Sequence, residues 1–139
     1  MIPLGVQLEE TNALQDAAEY LYERGIDLYL LTETESSLSR DRYNAIKKRD
    51  PEEILLHAYP VVYNPTEDQL RRAGIRENVD VIATLATKHI TDNDLSYEDI
   101  DTTRFEVKLE NNLYTINYKN QINHFSHVYL NIVLGLFKK

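Results

Sequence analysis

The side chains in this sequence best able to do acid–base or metal chemistry are four histidines and a surplus of carboxylates. His124 and His127 stand three apart in "NHFSH", with Ser126 between them, and Asp92 and Asp94 could supply carboxylate ligands. A metal centre needs its ligands held on one rigid face. "NHFSH" instead falls between two strand-like segments, where polar residues are expected to close a turn. Ser126 has no strand–turn–helix elbow around it to expose and activate a nucleophile. His57 and His89 each occur singly among apolar neighbours, which reads as a hydrogen-bonded structural histidine in both cases. Four scattered glycines cannot form a phosphate-cradling loop. No carboxylate pair sits in the apolar setting that would split its pKa values. These residues therefore suggest no catalytic, cofactor or metal site.

Composition narrows the classes further. The 139 residues suffice for one domain with one core. No apolar run approaches the ~20 residues of a membrane helix, and the opening "MIPLGVQLEE" does not read as a secretory signal. There is no cysteine, which removes disulfides and thiolate ligands. A net charge of −8 disfavours tight nucleic-acid binding, which depends on clustered Lys and Arg. Ten tyrosines without a tryptophan suit core edges and protein–protein contacts.

The elements that would position these residues can be read in order. "QLEETNALQDAAEYLYER" (7–24) has helical spacing, with Leu14, Ala17, Ala18 and Leu21 on one stripe. Asn12 and Gln15 could form its starting box, with a start one turn earlier as the alternative, and Gly25 stands at its end. "IDLYLLT" (26–32) predicts a strand. Residues 33–52 have no period and read as a long loop. "EEILLHAYPVVYNP" predicts an edge strand with a bulge or bend at Pro60. "NPTEDQLRRAG" predicts a short helix, boxed by Thr66 and Gln69 and stopped at Gly74. "VDVIATLAT" (79–87) predicts a strand with Val79, Val81, Ala83 and Leu85 on one face and a partly buried, mixed opposite face. A helical turn is expected near 88–94.

In "RFEVKLENNLYTINYKN" (104–120) the alternation predicts a hairpin about an Asn111–Asn112 turn. Leu109 would then face Tyr114, Val107 face Ile116, and Phe105 face Tyr118, all six on the core side. Stacking of Tyr114 and Tyr118 on nucleic-acid bases is the lesser reading, because their face is shared with aliphatic residues. "HVYLNIVLGLFKK" is apolar on both faces and predicts a central strand, with Gly135 at a bulge or close approach. The fold class is mainly β (α+β): a small antiparallel β-barrel or sandwich of about six strands, with an N-terminal helix, one short inserted helix and a long loop. The expected organisation is a single domain, 1–139, divided into a helical attachment (1–25) and a barrel (26–139) with its extended loop near 33–52.

From "HAYPVVYNPTEDQLRRAGIRENVDVIATLAT" through "DLSYEDID" and "RFEVKLENNLYTINYKNQINHF" to "VYLNIVLGLFKK", the order of elements resembles the head-closure (stopper) and head–tail connector small β-barrel proteins of tailed bacteriophages. The resemblance spans roughly residues 53–137 and rests on element order and spacing. It implies a structural, non-enzymatic virion protein of the neck at the head–tail junction, made in the bacterial host cytoplasm. Such proteins form homo-oligomeric rings between a portal or adaptor protein and the tail. The rings close the DNA-filled head and extend the channel through which double-stranded DNA passes. No catalytic residues and no cofactors transfer, and no membrane is involved. Arg40, Arg42, Lys47, Lys48 and Arg49 in the long loop are the candidate inter-subunit or channel contacts. A tail-terminator or other neck subunit, or an unrelated β-barrel module binding a protein or small ligand, are the alternative readings.

Overall fold

The structure, a computed structural model, describes residues 4–32, 53–101 and 104–139. Helix α1 (Leu4–Arg24) is already helical at Leu4, a turn and more before Asn12. The expected Asn12–Gln15 start is therefore not used: Gln15 Nε2 instead donates to Glu19 Oε1 at 2.9 Å, one turn on. Ala18 and Leu21 are buried with Ala86, and Leu14 and Ala17 are half-buried, as the apolar stripe predicts. Gly25 follows the helix for a reason of space. A Cβ there would lie 2.9 Å from the Ala58 nitrogen and 3.0 Å from His57 Cβ, so only glycine lets the helix end against the neighbouring strand.

Among the described residues seven antiparallel strands form one sheet: β1 (Ile26–Thr32), β2 (Glu53–Ala58), β3 (Val61–Tyr63), β4 (Val81–Ala86), β5 (Phe105–Leu109), β6 (Asn112–Phe125) and β7 (Val128–Lys138), in the order β2-β1-β5-β6-β7-β4-β3. The segment expected to be one bent edge strand is two strands, β2 and β3, on opposite edges of this order. They are joined by Tyr59 and Pro60 alone. A flat sheet of this order would separate its edges by about 29 Å at ~4.8 Å per strand. The Cα steps from Ala58 to Val61 reach only about 11 Å. The sheet must therefore curl until its edges meet, which makes it barrel-like. The corner is tied to β4, with the Tyr59 N–H donating to Thr84 O at 3.0 Å and the Thr84 N–H to Pro60 O at 3.3 Å.

Alternate residues of the strands fill the interior, among them Leu28, Leu56, Leu85, Val107, Ile132 and Leu134. Ile90 of helix α3 (Thr87–Asp92) and Ile100, just past a 3-10 turn at Tyr97–Asp99, join this core. A second cluster lies on the outer face, where Leu70 of helix α2 (Glu67–Arg72), Ile75, Val79, Ile82 and Val133 pack together. It corrects the reading of β4, which is buried on both faces: Ile82 is covered by α2 and its following loop, and Ala86 by α1. Val79, expected beside Val81, packs with Ile82 on the outside. β7 is central, between β6 and β4, and Asn131–Leu136 are buried on both faces as its composition predicts.

The hairpin has the expected faces with a different register. The positive-φ turn residues are Glu110 (φ 49°) and Asn111 (φ 68°), and Asn112 already pairs with Leu109. Val107 thus faces Tyr114, a shift of two residues from the expected pairing. A shift of two preserves which side each residue faces, so apolar alternation alone cannot distinguish these registers. Phe105, Val107, Leu109, Tyr114 and Ile116 enter the interior core. Tyr118 does not. A bulge at Asn117, between the Ile116↔Leu136 and Tyr118↔Gly135 pairs, turns Tyr118 to the outer cluster. Gly135 opposite the bulge is the expected close approach, since a Cβ there would lie 3.0 Å from Tyr118 Cβ and 3.1 Å from Val79 Cγ1.

Candidate functional site: a groove, an arm and a histidine pair

Helix α2 is fixed at both ends by local chemistry. The Gln69 N–H donates to Thr66 Oγ1 at 3.3 Å, and the Thr66 N–H to Gln69 Oε1 at 2.8 Å, completing the predicted capping box. At the other end Gly74 (φ 75°) donates to Arg71 O at 3.0 Å, and Ile75 to Leu70 O at 2.9 Å. This is a Schellman closure with its apolar Leu70–Ile75 contact. The Tyr118 hydroxyl donates to Gly74 O at 2.6 Å and anchors the helix to β6. With α2 so placed, an open groove of about 480 Å³ remains between it, α1 and the Tyr59–Pro60 corner.

Ala17, Tyr20 and Leu21 form one wall of the groove, and Gln69, Arg72 and Ala73 the other. Its floor is the outer face of β4, β6 and β7 at Ile82, Thr84, Ile122 and Val133. Tyr20 and Tyr59 meet edge to face, with ring centroids 5.8 Å apart, and the Arg24 guanidinium lies 4.6 Å over the Tyr20 ring. Buried Asn131 donates to Leu85 O at 3.2 Å and accepts from Asn123 Nδ2 at 2.7 Å, so the polar floor is internally satisfied there.

The second feature is an arm. β6 pairs with β5 only over Asn112–Thr115, and β7 with β4 only over Asn131–Leu136. Beyond those limits no strand among the described residues flanks the β6–β7 hairpin. Lys119 near its root is held by the 3-10 turn, with Lys119 Nζ donating to Tyr97 O at 2.8 Å and the Tyr97 hydroxyl to Lys119 O at 3.1 Å. At the tip Phe125 (39% exposed) and Tyr129 (40%) stand in solvent, and His124 packs on Tyr129 at 4.9 Å. The turn expected at "NHFSH" is formed by Ser126 and His127 only: Asn123, His124 and Phe125 end β6, where His124 pairs with Tyr129 and Phe125 with Val128, and Asn123 and Ser126 have positive φ. Its length as an arm was not read from the sequence, although a 14-residue strand after a 5-residue partner was the available signal.

The third feature corrects the reading of His57 and His89 as isolated. β2 and α3 bring them beneath α1, with ring centroids 6.1 Å apart, and Tyr22 lies 4.8 Å from His57. Asp27 Oδ1 is 3.5 Å from His57 Nε2. Burial, and then the neighbouring His57, push the His89 pKa below the ordinary imidazole value; Asp92 and the Ala18 carbonyl pull against them. His89 Nδ1 is buried without a hydrogen-bond partner among the described residues. Among the described residues, no group of three or more His, Cys, Asp or Glu is placed to hold a metal ion. Asp92 is engaged by Lys88 at 3.0 Å.

The remaining candidates are quickly placed. Arg40, Arg42, Lys47, Lys48 and Arg49 lie outside the described residues, as does the loop expected at 33–52. The core hairpin residues are scaffold, with Tyr118 packed against the outer cluster and anchoring α2 through Gly74 rather than entering the interior. No described helix is long and apolar enough to cross a membrane. The fold and these surfaces define a mainly β protein, with seven antiparallel strands in one barrel-like sheet and three helices among the described residues. Compared with known protein families, curated proteins and solved structures, the chain matches none.

Proposed function

We propose that this chain is a structural subunit of a tailed-phage neck. In this reading it is a ring-forming head-closure protein that extends the DNA channel and offers a docking surface to the tail. The observation that carries the reading is the arm: a two-stranded extension whose backbone edges are unpaired among the described residues, with an apolar tip at Phe125 and Tyr129. An unpaired edge with exposed aromatic side chains is a ready contact for a neighbouring chain. A head-to-tail ring also needs two unlike surfaces on each subunit, and the convex arm and the concave groove are unlike. The order of strands, capped helix and central last strand agrees with the resemblance carried by residues 53–137. An acidic chain suits the wall of a DNA channel, because like charge lets the duplex slide without adhering.

Electron microscopy of particles assembled without this protein tests the reading. DNA-filled heads that leak or fail to join tails are expected. Normal, infectious particles would refute it.

A further inference from the structure

The groove is a local exception to the charge of the chain. The sequence holds 23 acidic and 15 basic residues, yet of the fifteen residues lining the groove the one charged side chain is Arg72. Arg24, stacked on the groove residue Tyr20, adds a second cation at the rim. Neither arginine is in a salt bridge among the described residues, whereas Arg71 on the same helix lies 3.6 Å from Asp68. The walls are apolar and aromatic, Thr84 places a hydroxyl on the floor, and the space is open to solvent rather than enclosed. A concave apolar surface with a few polar groups is the usual form of a recognition site. Its openness favours a polypeptide segment over an enclosed small molecule.

We propose that this groove docks a segment of a partner protein that combines large apolar side chains with carboxylates. The apolar groups would fill the space between Ala17, Tyr59 and Ala73, and the carboxylates would meet Arg72 and Arg24, a planar guanidinium fork being well shaped for them. The arm of a second copy fits less well, because the ionisable residues at its tip are His124 and His127 and it carries no carboxylate. The inference stands whether or not the chain builds a ring.

The test uses the full chain and two short fluorescein-labelled peptides. One places Leu and Glu at helical spacing, and its twin has Lys for every Glu. The Glu peptide is expected to bind with Kd on the order of 10–100 µM and the Lys twin about tenfold or more weaker. Amide shifts in NMR spectra should centre on Ala17, Val62, Ala73 and Thr84. Arg72→Glu, at an exposed position, should weaken the Glu peptide about tenfold and strengthen its twin; Arg24→Glu is the second variant with the same expectation. Equal affinities for the two peptides, shifts centred elsewhere, or no binding of the Glu peptide would overturn the proposal. Self-association in sedimentation velocity that Arg72→Glu abolishes would overturn it too, by making a second copy the occupant.

Discussion

Replacing Gly135 by alanine probes the junction on which the outer face of the barrel depends. In a strand interior this change ordinarily stabilises by ~0.5–1 kcal/mol, since alanine has less conformational freedom to lose. Here the new methyl would lie 3.0 Å from Tyr118 Cβ, 3.1 Å from Val79 Cγ1 and 3.4 Å from Ile75 Cδ1. The first of these atoms is bonded directly to the backbone of the paired strand, so it cannot withdraw without stretching the β6–β7 ladder. Overpacking of this kind costs ~1–3 kcal/mol. The cost outweighs the gain, and a net loss of about 1–2 kcal/mol is expected. Urea unfolding followed by tyrosine fluorescence reads it as a lower midpoint with an unchanged slope. Val79→Ala removes one of the crowding atoms, so the double variant should be more stable than the sum of the single losses predicts, by about 1 kcal/mol. A Gly135→Ala protein as stable as the parent, or strictly additive behaviour with Val79→Ala, would refute the reasoning.

Thr66→Ala removes one half of the α2 capping box and should cost ~1 kcal/mol, with faster amide exchange at Leu70 as the local readout. Replacing both Phe125 and Tyr129 by serine should leave stability within ~0.5 kcal/mol, because both are exposed, while removing self-association in sedimentation velocity under the neck reading. The depressed His89 pKa has a definite sign. The unfolded chain takes up this proton more readily than the folded one, so stability is complete above the ordinary imidazole value and declines as pH falls below ~6.5. His89→Gln should flatten that decline in thermal melts at successive pH values, and an unchanged slope would show that other groups set it.

What could be read in the sequence followed the range of the interactions. The α2 helix was legible almost to the residue, because Thr66, Gln69 and Gly74 act on backbone groups a few positions away. The faces of the β5–β6 hairpin were legible down to Ile116, because alternation reports parity. Its register was not, because a shift of two residues leaves parity intact. Past Ile116 even the face was lost, since the bulge at Asn117 answers to Gly135 on another strand. Pro60 was read as punctuation within one strand, when it joins the two edges of a curled sheet. The groove, and the approach of His57 to His89, depend on how separate elements pack, and no local pattern announces either.

The placement of β7 bears on how the protein is made. Of the seven strands, the one that holds β4 to β6 is the last to be synthesised. Roughly forty residues separate the end of β4 from the start of β7, which is about 2–8 s of synthesis at ~5–20 residues per second. Throughout that interval β4, apolar on both sides, has no partner on the edge that β7 will occupy. The emerging chain therefore presents a sticky, half-paired ribbon to the crowded space around the ribosome. Synthesis speed and holding chaperones should then govern the yield of soluble protein more strongly than the stability of the finished barrel does.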